Sequence, residues 1–267
     1  MLGIVVCGAA GRMGSTLVRL IRQTSGVALV GAVDRPGSPR VGKDAGEFAG
    51  VGELGIRLNS RIEPFLKGNV AIIDFTRPEA SLVYLKAAAA KEIPIVIGTT
   101  GFIPRQTAEI KKLSRRTPTL FSANMSVGVN VLLSLVGRLA KALGDDYDVE
   151  IIEAHHRFKK DAPSGTALAL GRAVAEALKR DLDRVGVCGR KGVVGERSKK
   201  EIGLMAVRAG DIVGEHTVIF GGLGERIELV HRAQSRETFA RGAIRAAQWL
   251  VKQKKGLYGM RDVLGLE

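Results

Sequence analysis

Apolar positions along the chain follow two different rhythms, and the change comes near residue 125. Before it, short β-rich runs alternate with helical patterns. "LGIVVC", "VALVGAVD", "VAIIDF", "IPIVIG" and "PTLFSA" read as strands. Between them, "GRMGSTLVRLIRQ", the stretch "PEASLVYLKAAAAKE" beginning near Pro78, and a segment from about Pro104 to Arg116 carry helical spacing. Such alternation predicts an α/β fold, a parallel sheet covered by helices. From Ser126 onward, "SVGVNVLLSLVGRLAKAL" predicts a long amphipathic helix, "YDVEIIEAHH" a strand and "SGTALALGRAVAEALKR" another helix. The runs "IGLMAVRAG", "EHTVIFGG" and "ERIELVHRA" then follow without an intervening helix, which predicts two or three antiparallel strands. A last helix, "RETFARGAIRAAQWLVKQ", precedes the ending "GLYGMRDVLGLE". The expected division is a first domain over residues 1–125 and a second over 126–235.

Charge alters this picture only slightly. Lys and Arg number 41 against 27 Asp and Glu, a formal net charge of +14, which could mark a nucleic-acid partner. The basic residues are spread along the chain, however, and the densest run, "RKGVVGERSKK", contains no aromatic residue on which a base could stack. A solvated basic surface that attracts small anions is the favoured reading, with no nucleic acid as partner. The apolar start "MLGIVVCGAAGRMG" carries no basic leader and runs straight into a glycine loop, so it reads as a buried first strand. No segment of the sequence approaches the roughly 20 apolar residues of a membrane span, and no membrane is expected. Cys7 and Cys188 are the only cysteines, which suggests a reducing cytoplasm without disulfides.

The candidate chemistry begins at "VVCGAAGRMGSTLVRL", where Gly8, Gly11 and Gly14 stand between a strand and a helix. Glycine permits a tight turn and lets a pyrophosphate approach the N–H groups of the helix start. The spacing departs from the common G-x-G-x-x-G, but Asp34 closes the second predicted strand, where a carboxylate meets an adenosine ribose. Arg35 beside it, and Arg12 within the loop, can hold a 2′-phosphate, so use of both NADH and NADPH is expected. Thr76, Arg77, Gly98, Thr99 and Thr100 end two further strands. They suit either the nicotinamide side or ordinary turns equally well.

"EAHHRFKKDAPSGTALAL" is the richest stretch. Strand alternation places Glu153 and His155 on one face and His156 on the other. Lys159 adds a cation. Ser164 is a good N-cap, leaving the N–H groups of Gly165 and Thr166 to bind a carboxylate or phosphate. Metal is the rival reading, but a zinc site needs three or four ligands, and His216 and His231 lie far along the chain. No metal is expected. These parts suit an enzyme that grips an anionic substrate beside a proton donor.

"GAAGRMG", "DFTRPE", "IGTTGF", "SANMSVGVN", "EAHHRFKKDAPSGTALALG" and "GLYGMRDVLGL", in that order, resemble the dihydrodipicolinate reductase family over essentially the whole chain. The resemblance implies a Rossmann-like first domain completed by residues 236–267, and a substrate domain of α+β type whose open mixed sheet builds a homotetramer. It implies that Gly8, Ala9, Ala10, Gly11, Arg12 and Met13 hold the pyrophosphate and that Asp34 and Arg35 read the ribose. Gly98, Thr99 and Thr100, with Ser122, Ala123, Asn124 and Met125, would flank the nicotinamide. His155 would be the proton donor and Lys159 a second catalytic cation. His156, Lys159, Ser164, Gly165 and Thr166 would hold the carboxylates of a cyclic imine. Phe158 departs from relatives that carry a third histidine there. Another nicotinamide-dependent dehydrogenase, or a basic redox-sensing protein without catalysis, remain the alternatives.

Overall fold

A computed structural model describes residues 1–266, so Glu267, the end of the expected return into the first domain, lies outside the described residues. The chain divides into two compact units, Met1–Val127 with Arg236–Leu266, and Gly128–Ser235. The first unit runs β1 (Leu2–Cys7), α1 (Arg12–Gln23), β2 (Val27–Val33), α2 (Ala45–Ala49), β3 (Leu58–Asn59), β4 (Val70–Asp74), α3 (Pro78–Lys91), β5 (Ile95–Ile97), α4 (Pro104–Leu113) and β6 (Pro118–Phe121). The second contains α5 (Val127–Leu143) from its second residue onward, β7 (Asp148–His155), α6 (Gly165–Ala177), α7 (Leu182–Val185), β8 (Gly186–Val187), β9 (Ile202–Arg208), β10 (Gly214–Gly221) and β11 (Arg226–Ala233). The chain then returns to the first unit through α8 (Glu237–Leu250), β12 (Gly256–Tyr258) and α9 (Met260–Leu264).

All strands of the first sheet are parallel, in the order β12-β6-β5-β4-β1-β2-β3. Every residue of β1 is buried because its alternating side chains meet helices on both faces. Ile4 and Val6 pack with Leu17 and Ile21 of α1 and Ala243 of α8, while Val5 and Cys7 pack with Leu85 of α3 and Ile110 of α4. The chain steps from β1 outward to β2 and β3, then back across to β4. This reversal opens a crevice at the carboxyl ends of β1 and β4, where open parallel sheets bind ligands.

The second sheet has the order β11-β10-β7-β9-β8. It corrects the expectation that the strands after residue 202 are antiparallel neighbours. β10 and β11 are an antiparallel pair, but β9 lies parallel to β7, on the opposite side of it from β10. The reason is the route of the chain: α6 and α7 form a crossover after β7, which brings β9 back in the same direction. One face of this sheet is covered by α5 and α6, with Val136, Ala140, Leu170 and Val174 against Val149, Ile151 and Val218. On the other face, Met205, Ile152, Thr217 and Val230 stand in one cross-strand row.

A second correction concerns α5. With the 3₁₀ turn that follows, it forms a 20-residue helix containing an 18-residue window of mean hydropathy 1.4, long and apolar enough by length and composition to span a bilayer. Its Leu132, Val136 and Ala140 are buried in the core of the second unit, so one face of this helix packs on the second sheet. The basic run is also engaged within the unit. Arg197 pairs with Asp148 and Glu150 at 2.6 and 2.9 Å, and Arg190 pairs with Glu150 at 2.7 Å.

Candidate active site

The glycine loop of the first unit makes two separate demands. Gly8 has φ of +70°, a conformation that costs other residues free energy. At Gly14 the need is space, since a Cβ there would lie 2.6 Å from the Ala9 Cα. Gly14→Ala is therefore expected to destabilise the protein by about 1–3 kcal/mol through overpacking. Helix propensity alone would favour alanine by about 1 kcal/mol. A lowered Tm would show that close approach outweighs propensity, and an unchanged or raised Tm would refute it.

No side chain caps α1, so its first N–H groups are available to an anion. A cavity of about 460 Å³ at this end of the sheet is lined by Gly8, Gly11, Asp34, Arg35, Arg40 and Thr76, among others. This combination of glycine turn, open helix start, carboxylate and guanidinium suits a dinucleotide. Asp34 Oδ1 accepts from the Arg35 N–H at 2.8 Å and Oδ2 from the Ser38 hydroxyl at 2.8 Å, which orients the carboxylate. Arg12 is exposed and does not line this cavity. Arg40, absent from the sequence reading, does, and it donates to the Ala10 carbonyl at 2.9 Å and stacks over Phe48. Ala9, Ala10 and Met13 contribute backbone to the loop, while their side chains join the core.

Thr99 is buried, and its hydroxyl is already engaged by Ser81 at 2.9 Å and Asp74 at 3.5 Å. Burial pushes the Asp74 carboxyl up, opposed by hydrogen bonds from Ser81, Thr76 and Thr99. Gly98 is required by the ring of Phe75, since a Cβ there would lie 2.6 Å from Cζ. Thr100 is exposed. Ser122 donates to the Asn124 carbonyl at 2.8 Å, Asn124 Oδ1 accepts from the Ser126 N–H at 2.9 Å, Ala123 is exposed and Met125 is buried.

In the second unit the histidine stretch and the helix start come together. Glu153 and His155 share one face of β7 and bond at 2.6 Å through Nδ1. Glu153 is fully buried, and it accepts from the Ser164 N–H at 2.9 Å and from both terminal nitrogens of Arg208 at 2.7 and 2.8 Å. Burial opposes ionisation, but these donors hold its carboxyl below the usual range. His155 sits below the ordinary histidine value, through burial first, against the opposing pull of Glu153. Its Nε2 faces Gly214 of β10, where a Cβ would lie 3.1 Å away.

Lys159 holds both oxygens of the exposed Asp161 at 2.9 Å, and its N–H donates to the His156 carbonyl at 3.0 Å. The Nδ1 of His156 is buried without a protein partner. Gly165 and Thr166 open α6, the former exposed and the latter half-buried. Ser164 takes the N-cap position expected of it. It is buried, its hydroxyl caps the Ala167 N–H at 3.2 Å and meets His216 Nε2 at 3.1 Å, and its N–H goes to Glu153. It therefore shapes the start of α6 from beneath. His216, pushed down to about 4 chiefly by burial, is neutral, and its ring lies edge-on to His155 at 5.3 Å. Among the described residues, no group of three or more His, Cys, Asp and Glu could hold a metal ion.

Family models for the N-terminus and C-terminus of dihydrodipicolinate reductase match residues 2–125 and 128–264. The 4-hydroxy-tetrahydrodipicolinate reductase of Syntrophus aciditrophicus is 55% identical over 265 residues, covering 99% of each chain. That of Geotalea daltonii is 52% identical over 267 residues, covering 100% of each. Among solved structures, dipicolinate-bound dihydrodipicolinate reductase from Paenisporosarcina sp. TG-14 shares the fold, with a TM-score of 0.76 at 23% identity over 98% of this chain and 99% of that one.

Proposed function

The chain belongs to the dihydrodipicolinate reductase family, and from that premise we propose how its own residues carry the reaction. The activity is NAD(P)H-dependent reduction of (hydroxy-)dihydrodipicolinate to tetrahydrodipicolinate in lysine and diaminopimelate biosynthesis. Gly8 to Met13 hold the pyrophosphate against the start of α1, Asp34 and Arg35 hold the adenosine ribose, and Gly98 to Thr100 with Ser122 to Met125 flank the nicotinamide. When bound, the reduced nicotinamide would supply a hydride to the C4 end of the substrate's conjugated C=C–C=N system. The substrate is left as an enamine, and His155 gives its Nε2 proton to the neighbouring carbon. The N–H groups and hydroxyl at Gly165 and Thr166, with Lys159 and His156, hold the ring carboxylates. The observation that carries this reading is the convergence of His155, Lys159 and the start of α6 on one end of β7. Oxidation of NADPH that depends on supplied cyclic imine tests it, and imine-independent oxidation would overturn it.

Use of both cofactors follows from neighbouring charges of opposite sign. Asp34 favours free ribose hydroxyls and repels a 2′-phosphate, while Arg35 attracts that phosphate, with Arg40 in the same cavity. Hydrogen bonds to charged groups contribute about 1.5–3 kcal/mol, so neither effect dominates. The kcat/KM values for NADH and NADPH are expected to agree within roughly tenfold, about 1.4 kcal/mol. Arg35→Ala should impair NADPH selectively and Asp34→Ala NADH. Equal losses for both cofactors in each variant would defeat the assignment.

The outer row Met205, Ile152, Thr217 and Val230 supports a homotetramer built through the second sheet. Light scattering is expected to report four chains, and a monomer at micromolar concentration would contradict this. A cytoplasmic location agrees with the free thiols of Cys7 and Cys188, and cell fractionation checks it.

A further inference from the structure

We propose that Glu153, together with Arg208, is the positioning residue of the proton donor: it keeps a proton on Nδ1 of His155, so that the proton delivered to substrate always leaves from Nε2. This rests on His155 being the donor. It concerns an ion pair, its carboxylate fully buried and its guanidinium half-buried, to which the reaction scheme above assigns no part.

The argument starts from what a buried carboxylate can do. Glu153 has a fully buried side chain and is met by four donors: His155, the Ser164 N–H and two nitrogens of Arg208. An ionised carboxylate only accepts hydrogen bonds. The imidazole nitrogen facing it at 2.6 Å must therefore carry hydrogen, and Nε2 becomes the position that gains and loses the exchangeable proton. During transfer the N–H bond at Nε2 breaks and a C–H bond forms on the enamine. The ring remains as the neutral Nδ1–H tautomer, already bonded to Glu153.

Arg208 adds a second function. A bare carboxylate beside the ring would favour imidazolium strongly and make the proton hard to release. The guanidinium offsets that charge through two bonds to Glu153, and it also holds the Asp161 carbonyl at 2.7 Å, fixing the loop that bears Lys159. The groups facing His155 are Glu153 on its own strand, Arg208 at the end of β9, His216 on β10, and Lys159 with its partner Asp161 in the following loop. His216 remains neutral near physiological pH. Glu153 is thus the anion bonded to the ring, and Arg208 and Lys159 are the cations opposing it. Burial and these cations lower the His155 value, while Glu153 raises it.

The two members of the ion pair should consequently move the titration of His155 in opposite directions. Glu153→Gln retains an oxygen that can accept from Nδ1 but removes the charge, and should lower the His155 pKa by roughly 1–2 units. Arg208→Gln leaves the carboxylate unopposed, and should raise it by a comparable amount. Arg208→Lys, which restores a positive charge, should bring it back toward the wild-type value. The experiment is ¹⁵N NMR of the His155 ring in the full chain, wild type and variants, alongside the pH profile of kcat/KM. The wild-type neutral ring should show the Nδ1–H tautomer, a measurement that needs no substitution. Shifts of opposite sign in the two variants, followed by the alkaline limb of kcat/KM, would support the proposal. A wild-type Nε2–H tautomer, or variants that lose turnover while the His155 titration stays put or moves the same way in both, would overturn it. Opposite NMR shifts that the activity limb fails to follow would leave the pair's effect on the ring intact and remove His155 as donor.

Discussion

Replacing His155 by glutamine is expected to lower kcat by about 10²- to 10⁴-fold, the usual contribution of a positioned general acid. Glutamine can occupy the end of β7 and bond to Glu153, but it has no proton to release near neutral pH. The substrate carboxylates are held by Lys159 and the start of α6, so KM should change far less than kcat. The pH profile adds a sharper expectation. The working form is the imidazolium, present below the folded-state pKa of His155 and lost as pH rises through it. Burial sets that pKa below the ordinary 6.5, with Glu153 pulling the other way. In the free enzyme, then, the alkaline fall in kcat/KM should be centred below 6.5. The fall in kcat should lie higher, because a bound dicarboxylate favours the charged ring. His155→Gln should abolish this limb along with the rate. Near wild-type kcat in the variant would remove His155 from the chemistry.

What could be read in advance divides along the length scale of the interaction. The strand β1, the glycine loop and Asp34 were legible because each depends on local period or on the few residues around a turn. The Glu153–His155 pairing was legible for the same reason, since two residues apart on a strand means one face. Arg208 and His216 were not, because β9 and β10 flank β7 only through long-range register, with Ala154 opposite both Val207 and Glu215. Arg40 was missed because it approaches the glycine loop through a side chain crossing 30 residues of sequence. The parallel placement of β9 was missed because apolar alternation does not encode strand direction. The crossover through α6 and α7 does, once it is known that both strands share a sheet.

Lys159→Ala should produce the second large loss, expressed in KM and kcat together. In the ligand-free protein the ammonium bonds both oxygens of Asp161 at 2.9 Å, and Asp161 is 63% exposed. Exposed ion pairs contribute only about 0–1 kcal/mol, so a substrate carboxylate can displace or share this partner at little cost. Lys159 itself is only 20% exposed, which strengthens its hold on an anion that excludes water from it. A charge-assisted hydrogen bond of about 1.5–3 kcal/mol corresponds to a fall of roughly 10- to 150-fold in kcat/KM. Removing the cation also has a secondary effect on the donor. Lys159 lowers the His155 pKa, so the alanine variant should retain its proton to higher pH, and the alkaline limb should move upward even as the maximum falls. A pure loss of binding would raise KM and leave that limb in place. Lys159→Arg should restore charge and much of KM, but with its fork displaced from the compact ammonium position it should recover kcat less completely. Steady-state kinetics across pH on the three proteins decides the matter, and unchanged kcat/KM in Lys159→Ala would show that the substrate anion binds elsewhere.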